Sequence, residues 1–191
     1  MPRKPTRRAP THENRLRIVG GEWRSRVIRF PAAATLRPTP DRVRETLFNW
    51  LGQDLSGRIC LDLFAGSGAL GFESLSRQAR SVTFVDADAQ VRSHLSATAQ
   101  VLGAAARARI EAGDALEFLQ RCPNEFDVIF LDPPFGAGWI ERLWPAIGEA
   151  LAQGGMVYVE SETSFTAPAG WRILKSGRAG AVHFHLAGRD G

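Results

Sequence analysis

The tetrapeptide Asp132-Pro133-Pro134-Phe135 combines residue types that suit chemistry on an amine. Each proline fixes its φ angle and lacks an N–H, so the turn is stiff and the backbone carbonyls around Pro133 have no local partner. The Asp132 carboxylate and such a carbonyl can accept the hydrogens of a planar amine, while the Phe135 ring stacks on its face. The alternative is that Asp-Pro-Pro is only a rigid loop and that Phe135 only packs.

A strand is predicted directly before this turn. Residues Phe126 to Leu131 form a short, largely apolar run rich in Phe, Val and Ile, which is typical of a strand buried on both faces of a parallel sheet. Open α/β sheets bind ligands at the carboxyl ends of their strands. The turn is therefore predicted to lie at the ligand-binding edge of such a sheet.

A glycine pattern follows another predicted strand, Ile59 to Phe64. Gly66, Gly68 and Gly71 stand between this strand and a predicted helix from Ala69 to Arg77. Glycines at this spacing permit a tight turn and a close approach of the backbone to a ligand. A nicotinamide dinucleotide site fits the pattern equally well, so the pattern alone does not identify the ligand.

Two carboxylates near the glycines favour S-adenosylmethionine. Asp86 ends a predicted strand about 20 residues past the glycines, where an acidic residue commonly accepts hydrogen bonds from ribose hydroxyls. A turn or cap role is the alternative for Asp86, and Asp88 competes for the cap. Asp62, near the end of the first strand, suits the cationic sulfonium and ammonium groups, whereas a pyrophosphate favours a helix N-terminus without nearby negative charge. The loop also lacks the Lys-Ser/Thr of a triphosphate-binding loop.

Five stretches of the chain carry a family resemblance. They are Ile18 to Pro31 (IVGGEWRSRVIRFP), Leu36 to Leu51 (LRPTPDRVRETLFNWL), Asp62 to Glu73 (DLFAGSGALGFE), Asp132 to Phe135 (DPPF) and Tyr158 to Glu162 (YVESE). Together they resemble the bacterial 16S ribosomal RNA guanine-N2 methyltransferase family of the RsmD type. The likeness covers nearly the whole chain from Arg15 to His185.

The resemblance implies an α/β protein with a Rossmann-like class I methyltransferase fold. The expected fold is a mostly parallel seven-stranded sheet with helices on both faces, plus an N-terminal β-hairpin extension. We expect a basic disordered tail at residues 1–14, the hairpin extension at 15–38 and the methyltransferase domain at 39–191. The implied reaction moves a methyl group from S-adenosylmethionine to the exocyclic N2 amine of one guanine in 16S rRNA, leaving S-adenosylhomocysteine.

The resemblance also implies a set of site residues. The expected acceptor side consists of Asp132, Pro133 and Phe135, where Asp132 and the Pro133 carbonyl hold the amine and Phe135 stacks on the base. The expected cofactor-binding residues are Asp62, Phe64, Gly66, Gly68, Asp86, Asp114 and Ala115. Asp114 could pair with the adenine amine, and helix capping is the alternative.

Positive charge is concentrated near the N-terminus. Residues 1–44 hold 12 Lys and Arg against three Asp and Glu, while residues 45–191 have a net charge of −5. A basic arm on an acidic body predicts a polyanionic partner. The predicted RNA contacts are Arg17, Arg24, Arg26, Arg37, Arg42 and Arg44. For Arg42 and Arg44 the alternative is ion pairing with Asp41 or Glu45.

Composition sets further expectations. The 191 residues, of which 44% are hydrophobic, suit one domain with an appendage. Cys60 and Cys122 have neither zinc spacing nor a disulfide framework and are predicted to be thiols in a reducing cytosol. His183 and His185 lack a third ligand nearby, so we expect no metal site. No apolar run reaches transmembrane length. We therefore expect a cytoplasmic monomer that acts away from membranes on 16S rRNA, the small ribosomal subunit or an assembly intermediate.

Local signals also predict where two helices begin and end. A helix after the hairpin is expected to have Thr39 as its N-cap and Pro40 at its first position. A helix from Trp139 to Ala152 is expected to end at Gly154-Gly155.

Two functional alternatives remain open at this point. One is an amino-methyltransferase of the same Asp-Pro-Pro-Phe class that acts on DNA adenine or cytosine, or on a protein glutamine. The other is a non-catalytic RNA-binding protein that retains the fold.

Overall fold

A computed structural model of the protein describes residues 13–31, 39–123, 125–134, 136 and 138–190. Its strands are β1 (Glu13–Arg17), β2 (Val27–Pro31), β3 (Ile59–Asp62), β4 (Ser81–Asp86), β5 (Ala108–Ala112), β6 (Phe126–Leu131), β7 (Leu151–Ser161), β8 (Trp171–Ala179) and β9 (Val182–Arg189). Its helices are α1 (Asp41–Leu51), α2 (Ala69–Ser76), α3 (Ala89–Val101), α4 (Ala115–Leu119) and α5 (Trp139–Ala150).

The central sheet has seven strands in the order β5-β4-β3-β6-β7-β9-β8. The first five strands in this order are parallel, and β9 pairs antiparallel with both β7 and β8. The strands β3 and β6 are neighbours although β4 and β5 separate them in the chain, so the strand order reverses between them. Ligands bind at the carboxyl ends of strands beside such a reversal. The predicted fold class is confirmed.

Two apolar clusters cover the two faces of the sheet. Val128 and Phe130 of β6 belong to the cluster that α1, α2 and α3 complete, whereas Ile129 and Leu131 belong to the cluster that α4 and α5 complete. Because successive strand residues point to opposite faces, β6 is apolar at nearly every position. This burial on both faces explains why the sequence defined the bounds of β6 correctly.

The strands β1 and β2 form the predicted N-terminal hairpin. Leu16 pairs with Ile28 and both are buried, whereas Arg15 pairs with Arg29 on the exposed face. Alternation therefore separates an apolar face, which packs on the domain, from an arginine face. Trp23, in the connection between the strands, is 5% exposed and belongs to the core.

Glu73 of α2 fastens the hairpin to the rest of the protein. Its carboxylate accepts hydrogen bonds from the N–H groups of Val19 and Gly20, at 2.9 and 2.7 Å. The same carboxylate forms ion pairs with Arg44 of α1 and Arg77 of α2, at 3.1 and 2.9 Å. We call these three side chains with the two N–H groups the Glu73 cluster. Because its charges are both buried and paired, removing one partner is expected to be costly.

Two of the predicted element ends are wrong. The N-cap residue of α1 is Pro40, and the hydroxyl of Thr39 instead donates to Glu160 at 3.0 Å. The helix α5 ends at Ala150, and Gly154, with a φ of 73°, lies inside β7. The Thr39 hydroxyl does not cap α1 because it forms a tertiary hydrogen bond with Glu160. The helix α5 ends before the glycines because pairing with β6 already starts at Leu151.

Several other expectations concern the chain as a whole. Cys60 and Cys122 are free, buried thiols. Within the described residues, no helix combines the length and apolar character needed to cross a membrane. Residues 1–12 and 32–38 lie outside the described part of the chain, so the division into tail, hairpin extension and domain stays a prediction.

Candidate active site

Three acidic residues stand at the carboxyl ends of three adjacent strands. Asp62 ends β3, Asp132 directly follows β6, and Glu160 lies near the end of β7. We call these three side chains the carboxylate row. No ion pair between described residues involves any member of the row. Nor could any group of three or more His, Cys, Asp and Glu in the described ranges hold a metal ion. The row is therefore suited to a ligand that brings positive charge or hydrogen-bond donors.

Asp62 is the member of the row closest in sequence to the glycine pattern. It is 4% exposed, and one carboxylate oxygen accepts a hydrogen bond from the Gly71 N–H at 2.9 Å. Burial raises the pKa of Asp62 to about 7, the Gly71 hydrogen bond lowers it, and the charge of Asp86 raises it further. A cation beside Asp62 would stabilise its ionised form.

The glycine loop connects β3 to α2 and is braced by β4. Gly68 has a φ of 75° and is the N-cap residue of α2, a backbone conformation that glycine adopts without steric cost. Asp86, at the end of β4, accepts a hydrogen bond from the Gly66 N–H at 2.9 Å and another from the Asp88 N–H at 2.9 Å. Asp86 therefore ties the loop to the β4–α3 turn, and Asp88 caps α3 through the N–H groups of Gln90 and Val91.

Gly71 has a packing reason for being glycine. A Cβ at this position would collide with the ring of Phe84 on β4. This contact brings α2 against the sheet and keeps the Gly71 N–H within reach of Asp62. The third glycine of the pattern therefore positions the helix.

The remaining predicted cofactor residues lie around the same edge. Asp114 caps α4, because one of its oxygens accepts from the N–H groups of Leu116 and Glu117, and Ala115 is buried beside it. Phe64 is partly buried, with its ring 5.5 Å from the ring of Trp139. The capping alternative for Asp114 is thus realised, and its contact with adenine stays a prediction.

The predicted acceptor turn starts where β6 leaves the sheet. Burial raises the pKa of the Asp132 carboxyl well above its usual range, and the charges of Glu160 and Asp62 raise it further. Pro133 is buried and Pro134 is exposed. Phe135 lies outside the described residues, so its stacking role stays a prediction.

Glu160 is the site residue that the sequence analysis missed. It is 5% exposed, and its Oε1 accepts hydrogen bonds from the Tyr158 hydroxyl at 2.8 Å and the Thr39 hydroxyl at 3.0 Å. Burial raises the pKa of Glu160, although both hydroxyls lower it. A glutamate at the end of an apolar strand is itself unusual, because such residues are almost never buried without a partner. That signal was available within the YVESE stretch.

The predicted RNA-contacting arginines fall into three groups. Arg17, Arg24, Arg26 and Arg42 are exposed, and Arg17 pairs with Asp41 at 3.2 Å. Arg37 lies outside the described residues. Arg44 is buried.

The expectation that Arg44 contacts RNA is wrong, because its side chain is fully buried. Its guanidinium bonds Glu73 at 3.1 Å, Asp41 at 2.6 Å and the backbone carbonyl oxygens of Arg17 and Thr39. Every hydrogen-bonding nitrogen of the group is engaged, so none remains for a phosphate. Arg44 instead joins α1 to the hairpin.

Comparison with known proteins extends the resemblance from motifs to the chain. The family profile described as "Conserved hypothetical protein 95" matches residues 16–188. The "Ribosomal RNA small subunit methyltransferase D" of Escherichia coli K12 is 40% identical over 188 residues, which cover 95% of this chain and 94% of that protein. The protein of the same name from Haemophilus influenzae is 40% identical over 184 residues, covering 93% and 95%.

A solved structure agrees with these relatives. "Putative methyltransferase yhhF from Escherichia coli" superposes with a TM-score of 0.83 at 41% identity, and the match covers 93% of this chain and 99% of that one. The family resemblance is thereby confirmed. This chain belongs to the family described as "Conserved hypothetical protein 95", together with the small-subunit rRNA methyltransferases D that it resembles along nearly its whole length.

Proposed function

We propose that this protein transfers a methyl group from S-adenosylmethionine to the exocyclic N2 amine of a guanine in 16S rRNA. The observation that carries the proposal is the carboxylate row, in which Asp62 beside the glycine loop and Asp132 after β6 stand on neighbouring strands. The family membership and the names of the relatives support the rRNA substrate.

The donor side of the proposed site consists of Asp62, Gly66, Gly68 and Asp86. A buried carboxyl without an ion-pair partner in the described residues fits a ligand that carries both a sulfonium and an ammonium. When bound, S-adenosylmethionine supplies an electrophilic methyl group on its sulfonium. The backbone of the glycine loop allows close approach of the ligand. Each oxygen of Asp86 accepts one backbone hydrogen bond, and the remaining lone pairs can accept hydrogen bonds from ribose hydroxyls.

The acceptor side consists of Asp132 and the Pro133 carbonyl, with Phe135 as the stacking partner of the base. The guanine amine is a poor nucleophile because its lone pair is delocalised into the ring. Two acceptors that take its hydrogens orient the amine and favour tetrahedral character at nitrogen. Positioning of this kind contributes up to roughly 7–11 kcal/mol to a reaction between two bound groups, more than general acid–base assistance does.

The hairpin and the start of α1 supply the RNA-binding surface in this proposal. Arg17, Arg24, Arg26 and Arg42 are exposed and suit phosphate contacts, and Arg37 joins them as a prediction. The target guanine leaves its base stack to reach Asp132, as nucleobases do in enzymes that modify them. The partner in this proposal is 16S rRNA, free or in the small subunit or its assembly intermediate, and the enzyme is a cytoplasmic monomer.

The proposal is tested by following radiolabelled methyl groups into competing acceptors. The protein is incubated with labelled S-adenosylmethionine and, separately, with 16S rRNA, small ribosomal subunits, double-stranded DNA and a glutamine-containing protein substrate. We expect label in the RNA or the particle, recovered as N2-methylguanosine after digestion. Label in DNA or protein but not in RNA would instead support the amino-methyltransferase alternative. Binding of RNA without any transfer would support the non-catalytic one.

A further inference from the structure

Asp132 and Glu160 are close neighbours across two strands. Leu131 of β6 pairs with Val159 of β7, so Asp132 and Glu160, the residues that follow them, lie at the same level of the sheet. The charge of Glu160 raises the pKa of the Asp132 carboxyl. The acceptor turn thus has a second carboxyl group beside it, although the sequence places the two residues far apart.

Glu160 is held in a fixed orientation. Its Oε1 accepts from the Tyr158 hydroxyl, on the same strand, and from the Thr39 hydroxyl, which lies just before α1. The backbone carbonyl of Thr39 in turn accepts from Arg44 at 3.1 Å. Both hydroxyl donors favour the ionised form of Glu160. The two hydrogen bonds therefore fix the orientation of the Glu160 carboxylate next to Asp132 and oppose the rise in its pKa that burial causes.

The other titratable groups around the pair do not neutralise it. Asp62 on β3 and Tyr158 on β7 both interact with Asp132, and both are acids. Arg44, the buried base nearest to Thr39, is paired with Glu73 and Asp41.

The two histidines of the neighbouring strand β9 face the other way. Glu160 pairs with Phe184, so His183 and His185, the residues on either side of it, point to the opposite face of the sheet. The negative charge of Glu160 therefore acts on Asp132 without a compensating cation among the described residues.

We propose that Glu160 is a positioning residue for methyl transfer, whose fixed carboxylate keeps Asp132 a strong enough base to accept the proton that the methylated amine releases. This inference rests on the proposed function, since it assigns a role within the same site. In the first step, the amine lone pair forms the N–CH3 bond while the S–CH3 bond breaks and leaves its electron pair on sulfur. The nitrogen, now carrying an extra positive charge, then loses a proton to the Asp132 carboxylate, which passes it to water.

The test is the pH profile of single-turnover methyl transfer for the wild type and for Glu160→Gln. The amide keeps the size of the side chain and an oxygen that accepts from Thr39 and Tyr158, but it removes the charge. The acid limb of the rate profile reports the proton on Asp132. We expect this limb to move to lower pH by at least about one pH unit, because a like charge has been removed. The plateau rate should fall at least about tenfold, because a less basic Asp132 carboxylate accepts a weaker hydrogen bond from the amine while positive charge develops on its nitrogen.

The controls separate this role from a structural one. Glu162→Gln removes an exposed charge two residues away and should leave the profile unchanged. Glu160→Asp retains the charge, so its acid limb should stay near that of the wild type even where its plateau falls. A structural role would lower the plateau or the melting temperature without moving the limb. If Glu160→Gln does not fold, a limb displaced to lower pH in Glu160→Asp overturns the proposal.

The outcomes for the inference and for the proposed function are distinguishable. A wild type that methylates rRNA, together with a Glu160→Gln variant whose acid limb is unmoved, overturns the role of Glu160 alone. A wild type that transfers no methyl group to any RNA overturns both.

Discussion

Two groups of acidic residues in this protein differ in how their charge is balanced. In the Glu73 cluster, one carboxylate meets two guanidinium groups and two backbone N–H groups. In the carboxylate row, Asp62, Asp132 and Glu160 have no ion-pair partner among the described residues, and burial raises the pKa of each. Arg44 of α1 contacts the first group, and Thr39, which lies just before α1, contacts the second.

The difference separates a structural role from a functional one. A buried acid whose partners are all within the protein stabilises one arrangement of the chain, here the hairpin against α1 and α2. A buried acid without such a partner costs free energy in the unliganded protein and is retained where a ligand completes it. We therefore expect substitutions in the Glu73 cluster to reduce stability, and substitutions in the carboxylate row to reduce activity.

The largest expected effect is on transfer in the row. Asp132→Ala should lower the single-turnover rate of methyl transfer by about 10²–10⁴-fold, because the amine loses the acceptor that orients it and takes its proton. Its affinity for S-adenosylmethionine, measured by isothermal titration, should remain, and its free energy of unfolding at neutral pH should not fall. Asp190→Ala, at an exposed position, serves as the control. An active Asp132→Ala enzyme would remove Asp132 from the mechanism.

The next effect concerns the Glu73 cluster. Arg44→Met should lower the free energy of unfolding by about 3–5 kcal/mol, because Glu73 keeps a buried charge with one partner fewer. Urea denaturation measures this change. The matched variant is Arg42→Met, two residues away and exposed, which should change stability by less than about 0.5 kcal/mol while weakening RNA binding. Equal stability of the two variants would contradict the distinction between the groups.

The pH dependence of the free energy of unfolding tests whether Asp62 has a functional or a structural role. Its folded pKa of about 7 lies above the ordinary value of 3.8, so the folded state retains a proton that the unfolded state has lost. This group's contribution to stability is therefore present below about pH 4 and is lost as the pH rises to about 7. Asp62→Asn removes that loss. The variant should be more stable than the wild type at pH 8, by on the order of 2–4 kcal/mol, with little difference at pH 4.

The same Asp62→Asn variant should bind S-adenosylmethionine more weakly, since the charge beside the cationic ligand is gone. Urea denaturation at the two pH values and isothermal titration at pH 8 measure the two effects. A variant that is destabilised at pH 8 would show that Asp62 is a structural acid like Glu73.

The smallest expected effects are on the exposed arginines of the connection between β1 and β2. Arg24→Gln and Arg26→Gln should each weaken binding to a 16S rRNA fragment by a similar factor whatever its sequence. Each should reduce the slope of log affinity against log salt by about 1, as the loss of one phosphate contact does. Arg178→Gln, exposed on β8, is the control and should leave the slope unchanged. Unchanged slopes for the hairpin variants would remove the hairpin from the RNA-binding surface.

The sequence predicted best those features that depend on local burial. The strand β6 was correct at both ends because its residues are buried on both faces of the sheet. Thr39 was misassigned as a helix cap because its hydroxyl bonds Glu160, which lies 121 residues further along the chain. No local pattern carries information on such a contact.

Two site-related residues illustrate the same limit. Arg44 was assigned to the surface from its charge, although its spacing to Leu47, Phe48 and Leu51 places it on the buried face of α1. The position of Glu160 beside Asp132 depends on the register of β6 against β7, which the sequence does not specify, although a glutamate at the end of an apolar strand is itself a signal. Charge alone was a poor guide in both cases, because burial decides what a charged group can contact.

The role of this protein and of Asp132 in the methylation of 16S rRNA can be tested in cells. Nucleoside mass spectrometry of 16S rRNA is compared between cells with this protein, cells without it, and the latter complemented with wild type or with Asp132→Ala. We expect N2-methylguanosine at one position to disappear with the protein, to return with the wild type, and to remain absent with Asp132→Ala expressed at the same level. An unchanged content of N2-methylguanosine in cells without the protein would overturn the proposed function, and its full restoration by Asp132→Ala would remove Asp132 from the mechanism.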